Sequence, residues 1–109
     1  MANVYRNAKT DFTTTDNTTV YTVPSNSRAI LKNILVSDDS GSGDSITVTL
    51  TDASAAVFSL FKTKTIGSNA TTELITQPII LQESEILKAQ ATTAGRLHMV
   101  VSLLEINRD

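Results

Sequence analysis

The stretch "SITVTLTD", Ser45 to Asp52, decides the fold. Ile46, Val48 and Leu50 alternate with Thr47, Thr49 and Thr51. Successive side chains of a strand point to opposite faces, so this spacing lines one face with aliphatic groups and the other with hydroxyls. The Ile, Val and Thr side chains are branched at Cβ, which suits a pleated backbone. The segment reads as a half-buried strand with core on one side and water on the other.

Reading outward toward the N-terminus, "DDSGSGD" (Asp38 to Asp44) is the clearest loop. Gly41 and Gly43 supply backbone freedom where φ turns positive, and Ser and Asp side chains bond their own backbone. Arg28 to Ser37 precedes it as a strand, so the two runs make an antiparallel hairpin. Pro24 ends an earlier strand, Val20 to Val23, because proline has no N–H to give to a ladder. "SNS" then turns the chain, and residues 13–18, "TTTDNT", form a loop. Val4 to Phe12 is polar and weakly strand-like, an edge strand or an arm that leaves the body.

Toward the C-terminus, Ala55 to Ile66, Thr71 to Ile75, Ile79 to Leu81, Ile86 to Ala91 and Leu97 to Ile106 read as strands. Gly67-Ser68-Asn69, Pro78, "QESE" and Ala94-Gly95 separate them. "ESEILKAQAT" carries some helical propensity, but a run of roughly six to eight residues between turn signals has strand length. Short strands at this spacing indicate a sandwich or barrel. The expectation is an all-β chain forming a single antiparallel β-sandwich, jelly-roll-like, with about eight strands. Residues 1–18 are the arm or edge strand plus loop, and residues 19–109 the sandwich domain.

With 109 residues the chain has the size of one domain, enough to hide roughly two thirds of its unfolded surface. It has no Cys, which excludes disulfide staples and Cys-ligated zinc or iron–sulfur sites. A net charge of −2 offers no basic surplus to hold nucleic-acid phosphates. The N-terminus lacks the apolar core of a secretion signal. The longest apolar runs, such as Met99–Val101, fall far short of the roughly 20 residues of a membrane-spanning helix. A soluble protein made in a cytoplasm is expected, with neither nucleic acid nor membrane as partner, and the sequons at Asn17 and Asn69 carry little weight. Only 5% of residues are aromatic, which argues against stacking platforms for sugars or bases.

Reactive chemistry is sparse. His98 is the only histidine, so no His pair builds a zinc site. It reads as a surface or interface residue, and a catalytic base would need an oriented partner. Asp38, Asp39 and Asp44 have the oxygens calcium takes, without EF-hand spacing, and a hairpin loop uses the same residue types. Glu83 and Glu85 look like solvated turn residues rather than a glycosidase pair. Lys62 and Lys64 suit a charged edge that discourages sheet-to-sheet aggregation. No G-x-S-x-G elbow and no phosphate loop occurs. No cofactor, metal or catalytic residue is expected.

The last strand departs from a plain sandwich. Leu97, Met99, Val101 and Leu103 take one face; His98, Val100, Ser102, Leu104 and Ile106 take the other, and three of those five are also apolar. A sheet facing water on one side alternates more cleanly. Two readings stand: a central strand covered on both faces within the monomer, or a second face that packs on another subunit. The candidate interface residues are His98, Val100, Leu104 and Ile106, with Phe58 and Leu60 extending the patch.

"TVYTVPSNSRAILKNILVSDDSGSGDSITVTLTD" and "QPIILQESEILKAQATTAGRLHMVVSLLEI" together resemble small all-β virion proteins of tailed bacteriophages. The shared pattern is a Y-T-V-P corner, a strand into a Ser/Gly/Asp loop, a Thr-alternating strand, an L-x-x-x-E-x-L turn and an apolar strand closing on L-E-I. The likeness spans Thr19 to Ile106. Ser84-Glu85 departs from it, standing where Gly-Asp is expected before the penultimate strand. The resemblance implies a non-enzymatic structural protein of the virion, made in the host cytoplasm. It would be a capsid decoration or cement protein, with a neck or tail adaptor or fibre element as the alternative. Its partners would be itself, as a homo-oligomer such as a trimer, and other virion proteins. A receptor- or carbohydrate-binding sandwich, using loops Asp38–Asp44 and Asn69–Thr72, is the competing class.

Overall fold

The computed structural model describes residues 2–75 and 77–107, which form nine strands and no helix. They are β1 (Ala2–Asp11), β2 (Thr18–Thr22), β3 (Ser27–Asp38), β4 (Asp44–Thr51), β5 (Val57–Ile66), β6 (Thr71–Glu73), β7 (Ile79–Leu81), β8 (Ile86–Ala91) and β9 (Leu97–Asn107). The alternation that marks β4 in the sequence survives as burial: Ile46 and Val48 are fully buried while Thr47 and Thr49 are not.

The strands pair in nested fashion. β1 pairs β9, β2 pairs β8, β3 pairs β6 and β7, and β4 pairs β5, all antiparallel. Two further ladders, β3 with β9 and β4 with β8, join these hairpin-like pairs into two sheets. One sheet runs β1-β9-β3 with β6 and β7 on the far side of β3; the other runs β2-β8-β4-β5. First-with-last nesting rolled into two layers is the jelly roll. Nine strands fill the eight places because β6 and β7 share one edge. Pro78 lies between them and has no N–H for the ladder.

β1 is an edge strand, not an extended arm: all ten of its residues are in register with β9. Immediately after it Phe12 is 1% exposed, and its backbone is fixed by Phe12 N–H to Leu97 O (3.1 Å) and Gly95 N–H to Phe12 O (2.8 Å). The chain crosses from one sheet to the other there, and Phe12 closes that passage.

The core lies between the sheets. Leu31, Ile34 and Val36 from β3 and Leu97, Met99, Val101 and Leu103 from β9 meet Ile46 and Val48 from β4 and Leu87 and Ala89 from β8. Each large aliphatic side chain buried this way contributes about 1.5–3 kcal/mol. A bulge between Leu31 and Asn33 shifts the alternation of β3, so Ala29 and Leu31 on one side of it and Ile34 and Val36 on the other all face inward.

Candidate functional site

The two outer faces of the sandwich differ in chemistry. On the β2-β8-β4-β5 sheet, Thr19, Lys88, Thr49 and Ser59 lie side by side across all four strands. On the other sheet, Tyr5, Leu104, Ile30 and Ile80 form the corresponding row, across β1, β9, β3 and β7. Tyr5 is 77% exposed and Ile80 64%, with Leu104 and Ile30 half-buried between them. On one side a polar row, Asn7, Ser102 and Asn33, intervenes before the next apolar one; on the other the neighbouring row adds apolar area directly. The first of these apolar rows is Lys9, Val100, Leu35 and Glu73; the second is Asn3, Ile106 and Arg28. Large apolar patches on an outer face mark interaction sites, whereas isolated exposed aliphatics do not.

The backbone explains how these side chains meet. β9 is central and presents every second residue outward, so Val100, Leu104 and Ile106 share the face with His98 and Ser102. On β3 the bulge at Lys32 brings Ile30 and Leu35, five residues apart, to the same outer side. Neither would share a face in an unbroken strand. Sequence periodicity singled out the β9 residues and missed Tyr5, Ile30, Leu35 and Ile80.

Phe58 and Leu60 do not join this patch. They lie on β5, at the edge of the opposite sheet, with Phe58 opposite Leu50 and Leu60 packed against the core. Lys62 and Lys64 are exposed on that same edge strand.

His98 stands at one end of the apolar face, in a row with Asp11, Ser37 and Thr71. Its Nε2 is 3.1 Å from Asp11 Oδ1 and its Nδ1 3.6 Å from Asp39 Oδ2. It therefore links the end of β1 to the loop after β3.

The acidic loop is organised around Asp38, which is 3% exposed. Oδ1 accepts from the Ser40 hydroxyl (2.6 Å) and Ser40 N–H (2.9 Å). Oδ2 accepts from Gly43 N–H (2.6 Å) and Asn69 N–H (3.3 Å). The Ser40 hydroxyl above all, then the backbone donors, hold its carboxyl down at about 2 against the opposing pull of burial. Asp44 serves another partner, accepting from Thr93 N–H at 2.8 Å. The three aspartates thus aim at different groups, and no set of three metal-ligating side chains converges among the described residues. Ser68 Oγ donates to Gly41 O at 2.5 Å, so the loops around Gly41 and Asn69 lie side by side at one end of the sandwich.

A second polar cluster lies inside. Glu105, 3% exposed, sits on the core-facing side of β9. The Tyr21 hydroxyl donates to its Oε2 at 2.6 Å, and Arg6 Nε lies 3.3 Å from the same oxygen. Burial, then the bond to Glu105 and its charge, push the Tyr21 phenol well above its ordinary range. The cluster satisfies a buried carboxylate and ties the two sheets together.

Glu85 accepts from Gln82 N–H at 2.7 Å and shapes the turn before β8. No protein-family model matches this chain, and no curated protein matches it either.

Proposed function

We propose that this protein is a non-enzymatic structural subunit of a virion, of the capsid decoration or cement type, that works by packing its outer sheet face against copies of itself and the viral shell. The observation that carries the reading is the Tyr5–Leu104–Ile30–Ile80 row, an apolar strip across a whole sheet whose counterpart on the other sheet is polar. A small jelly roll gains little from leaving such a strip in water. Covering each aliphatic group on it stabilises an assembly by up to about 1.5–3 kcal/mol, before the cost of association. The resemblance of Thr19–Ile106 to small phage virion proteins supports the same reading and supplies the viral setting.

Mass spectrometry of gradient-purified particles tests it, with immunogold labelling for position. The protein is expected in the particles in many copies, with label over the head. Label at the neck or tail would move it to the adaptor or fibre role. Absence from particles, together with abundance in the infected-cell lysate, would overturn the proposal.

A further inference from the structure

The outer face of the β1-β9-β3 sheet is complementary to itself. We infer that two copies of this chain pair through it, face to face, about a two-fold axis parallel to the strands. The inference rests on the reading of this face as an assembly surface and adds the partner, the symmetry and the contacts.

A two-fold axis along the strands keeps each residue row at its own level and exchanges the two edges of the sheet. The row Lys9, Val100, Leu35, Glu73 then lies over its own reverse. Lys9 of one copy meets Glu73 of the second, at both edges, and Val100 meets Leu35 between them. Lys9 and Glu73 are both exposed and have no ion-pair partner among the described residues. In the next apolar row Tyr5 meets Ile80 and Leu104 meets Ile30. Ile106 lies over the stem of Arg28, an arrangement that lets the guanidinium reach water. His98 meets Ser37, and Asp11 meets Thr71. Lys32, exposed on the same face beside Tyr5, Asn7 and Ser102, lies over Ser102 of the second copy, so no like charges stand directly opposite one another.

The other in-plane two-fold, perpendicular to the strands, fits worse. It keeps each strand over itself and reverses the rows about Asn7 and Ser102. Tyr5 would then lie over Lys9 and Ile80 over Glu73, setting charge on apolar surface at four places and leaving both charges unpaired. The parallel axis is the one that matches apolar to apolar and plus to minus.

The size of the face sets the strength. Four strands about 4.8 Å apart and nine residues at about 3.4 Å give a face of roughly 500 Å² per subunit. The pair buries about 1,000 Å², at the floor for a specific interface. A reversible dimer is expected, with dissociation on the order of micromolar, unless further virion contacts add to it.

Sedimentation equilibrium from low micromolar to submillimolar concentration tests the pairing, with circular dichroism confirming the fold of each variant. Wild type is expected to shift from 11.7 kDa to twice that mass. Leu104→Asp and, on a more exposed edge position, Ile80→Asp should each abolish the shift. Lys9→Glu should weaken the dimer at least about tenfold, as should Glu73→Lys, because each places like charges together twice. The double exchange Lys9→Glu with Glu73→Lys should restore it to within about threefold. A monomer at every concentration, a trimer, or a dimer indifferent to Leu104→Asp and Ile80→Asp would overturn the inference. A dimer that the double exchange fails to rescue would overturn the axis. These results stand apart from the particle assay: a monomer found in virions removes the dimer and keeps the structural role, and a dimer missing from virions does the reverse.

Discussion

The hydroxyl of Tyr21, on β2 of one sheet, donates a 2.6 Å hydrogen bond to Oε2 of Glu105, on β9 of the other. The bond spans the core at the end where Arg6 also reaches Glu105, at 3.3 Å. A bond to an ionised acceptor inside a protein contributes about 1.5–3 kcal/mol, and a buried carboxylate stripped of its donor costs as much again. Tyr21→Phe is therefore expected to lower stability by about 2 kcal/mol in urea denaturation, with the fold retained. Glu105→Leu on its own strands the half-buried hydroxyl. The double variant should lose less than the sum of the single losses, since no orphan remains. Strict additivity would show that the pair is not coupled.

The same contact sets an alkaline limit. The Tyr21 phenol is pushed up in the folded state, so the fold holds that proton when the unfolded chain has released it. Its contribution is complete below about pH 10, the range of a free tyrosine, and is lost as pH rises beyond it. Denaturation midpoints for Tyr21→Phe should fall less steeply above about pH 10 than those of wild type. Parallel alkaline limbs would show that Tyr21 is not the group responsible.

Asp38 gives the acid limb the opposite sign. Its carboxyl drops from 3.8 to about 2 on folding, chiefly through the Ser40 hydroxyl, so the unfolded chain takes up the proton first as pH falls. The contribution is present above about pH 4 and disappears as pH falls through about 2. Asp38→Asn presents an amide to the Gly43 and Asn69 donors, so it should be less stable at neutral pH and show a flatter fall between about pH 4 and pH 2. Equal acid slopes in the two proteins would place the acid sensitivity elsewhere.

Two glycines separate backbone strain from crowding. Gly95 has φ +77° with no atom within 4 Å of an added Cβ; Gly43 has φ +72° and an added Cβ would lie 3.2 Å from the Ile66 carbonyl oxygen. Gly95→Ala should cost about 1 kcal/mol, the penalty of a left-handed L-residue less the gain from a stiffer unfolded chain. Gly43→Ala should cost about 2 kcal/mol or more, because the Ile66 backbone must shift and the N–H that Asp38 accepts moves with it. Similar chemical-denaturation losses would mean the loop relaxes freely around position 43.

How far the sequence exposes this structure depends on where alternation is unbroken. β4 and β9 keep strict period two, and both faces of each follow from reading every second residue. β3 does not: the bulge at Lys32 exchanges inside and outside partway along, and nothing in "AILKNIL" marks where the extra residue sits. Ile30 and Leu35 were hidden for that reason. Tyr5 was hidden by its polar neighbours, which suggest a loose arm until β9 is placed beside them. Glu105 falls by parity on the core face of β9, but its donors come from residues 21 and 6, far away in the chain. Phe58 was grouped with β9 because apolar character is visible in a sequence and sheet membership is not.

The turn before β8 carries one residue that its own backbone disfavours. Ser84 has φ +69°. Glu85 N–H reaches Gln82 O at 3.1 Å, which puts Ser84 at the third position of a four-residue turn, where a type II turn takes glycine. Ser84 N–H bonds Val23 O at 3.1 Å, a contact that glycine keeps because it uses backbone atoms alone. Ser84→Gly relieves a left-handed strain of about 1–2 kcal/mol and gives back part of it through the looser unfolded chain. A net gain of about 0.5–1 kcal/mol is expected in urea denaturation, with no change in oligomeric state, since the turn lies outside the apolar face. A loss of stability on making Ser84→Gly would show that the serine hydroxyl contributes more to this corner than its backbone strain removes.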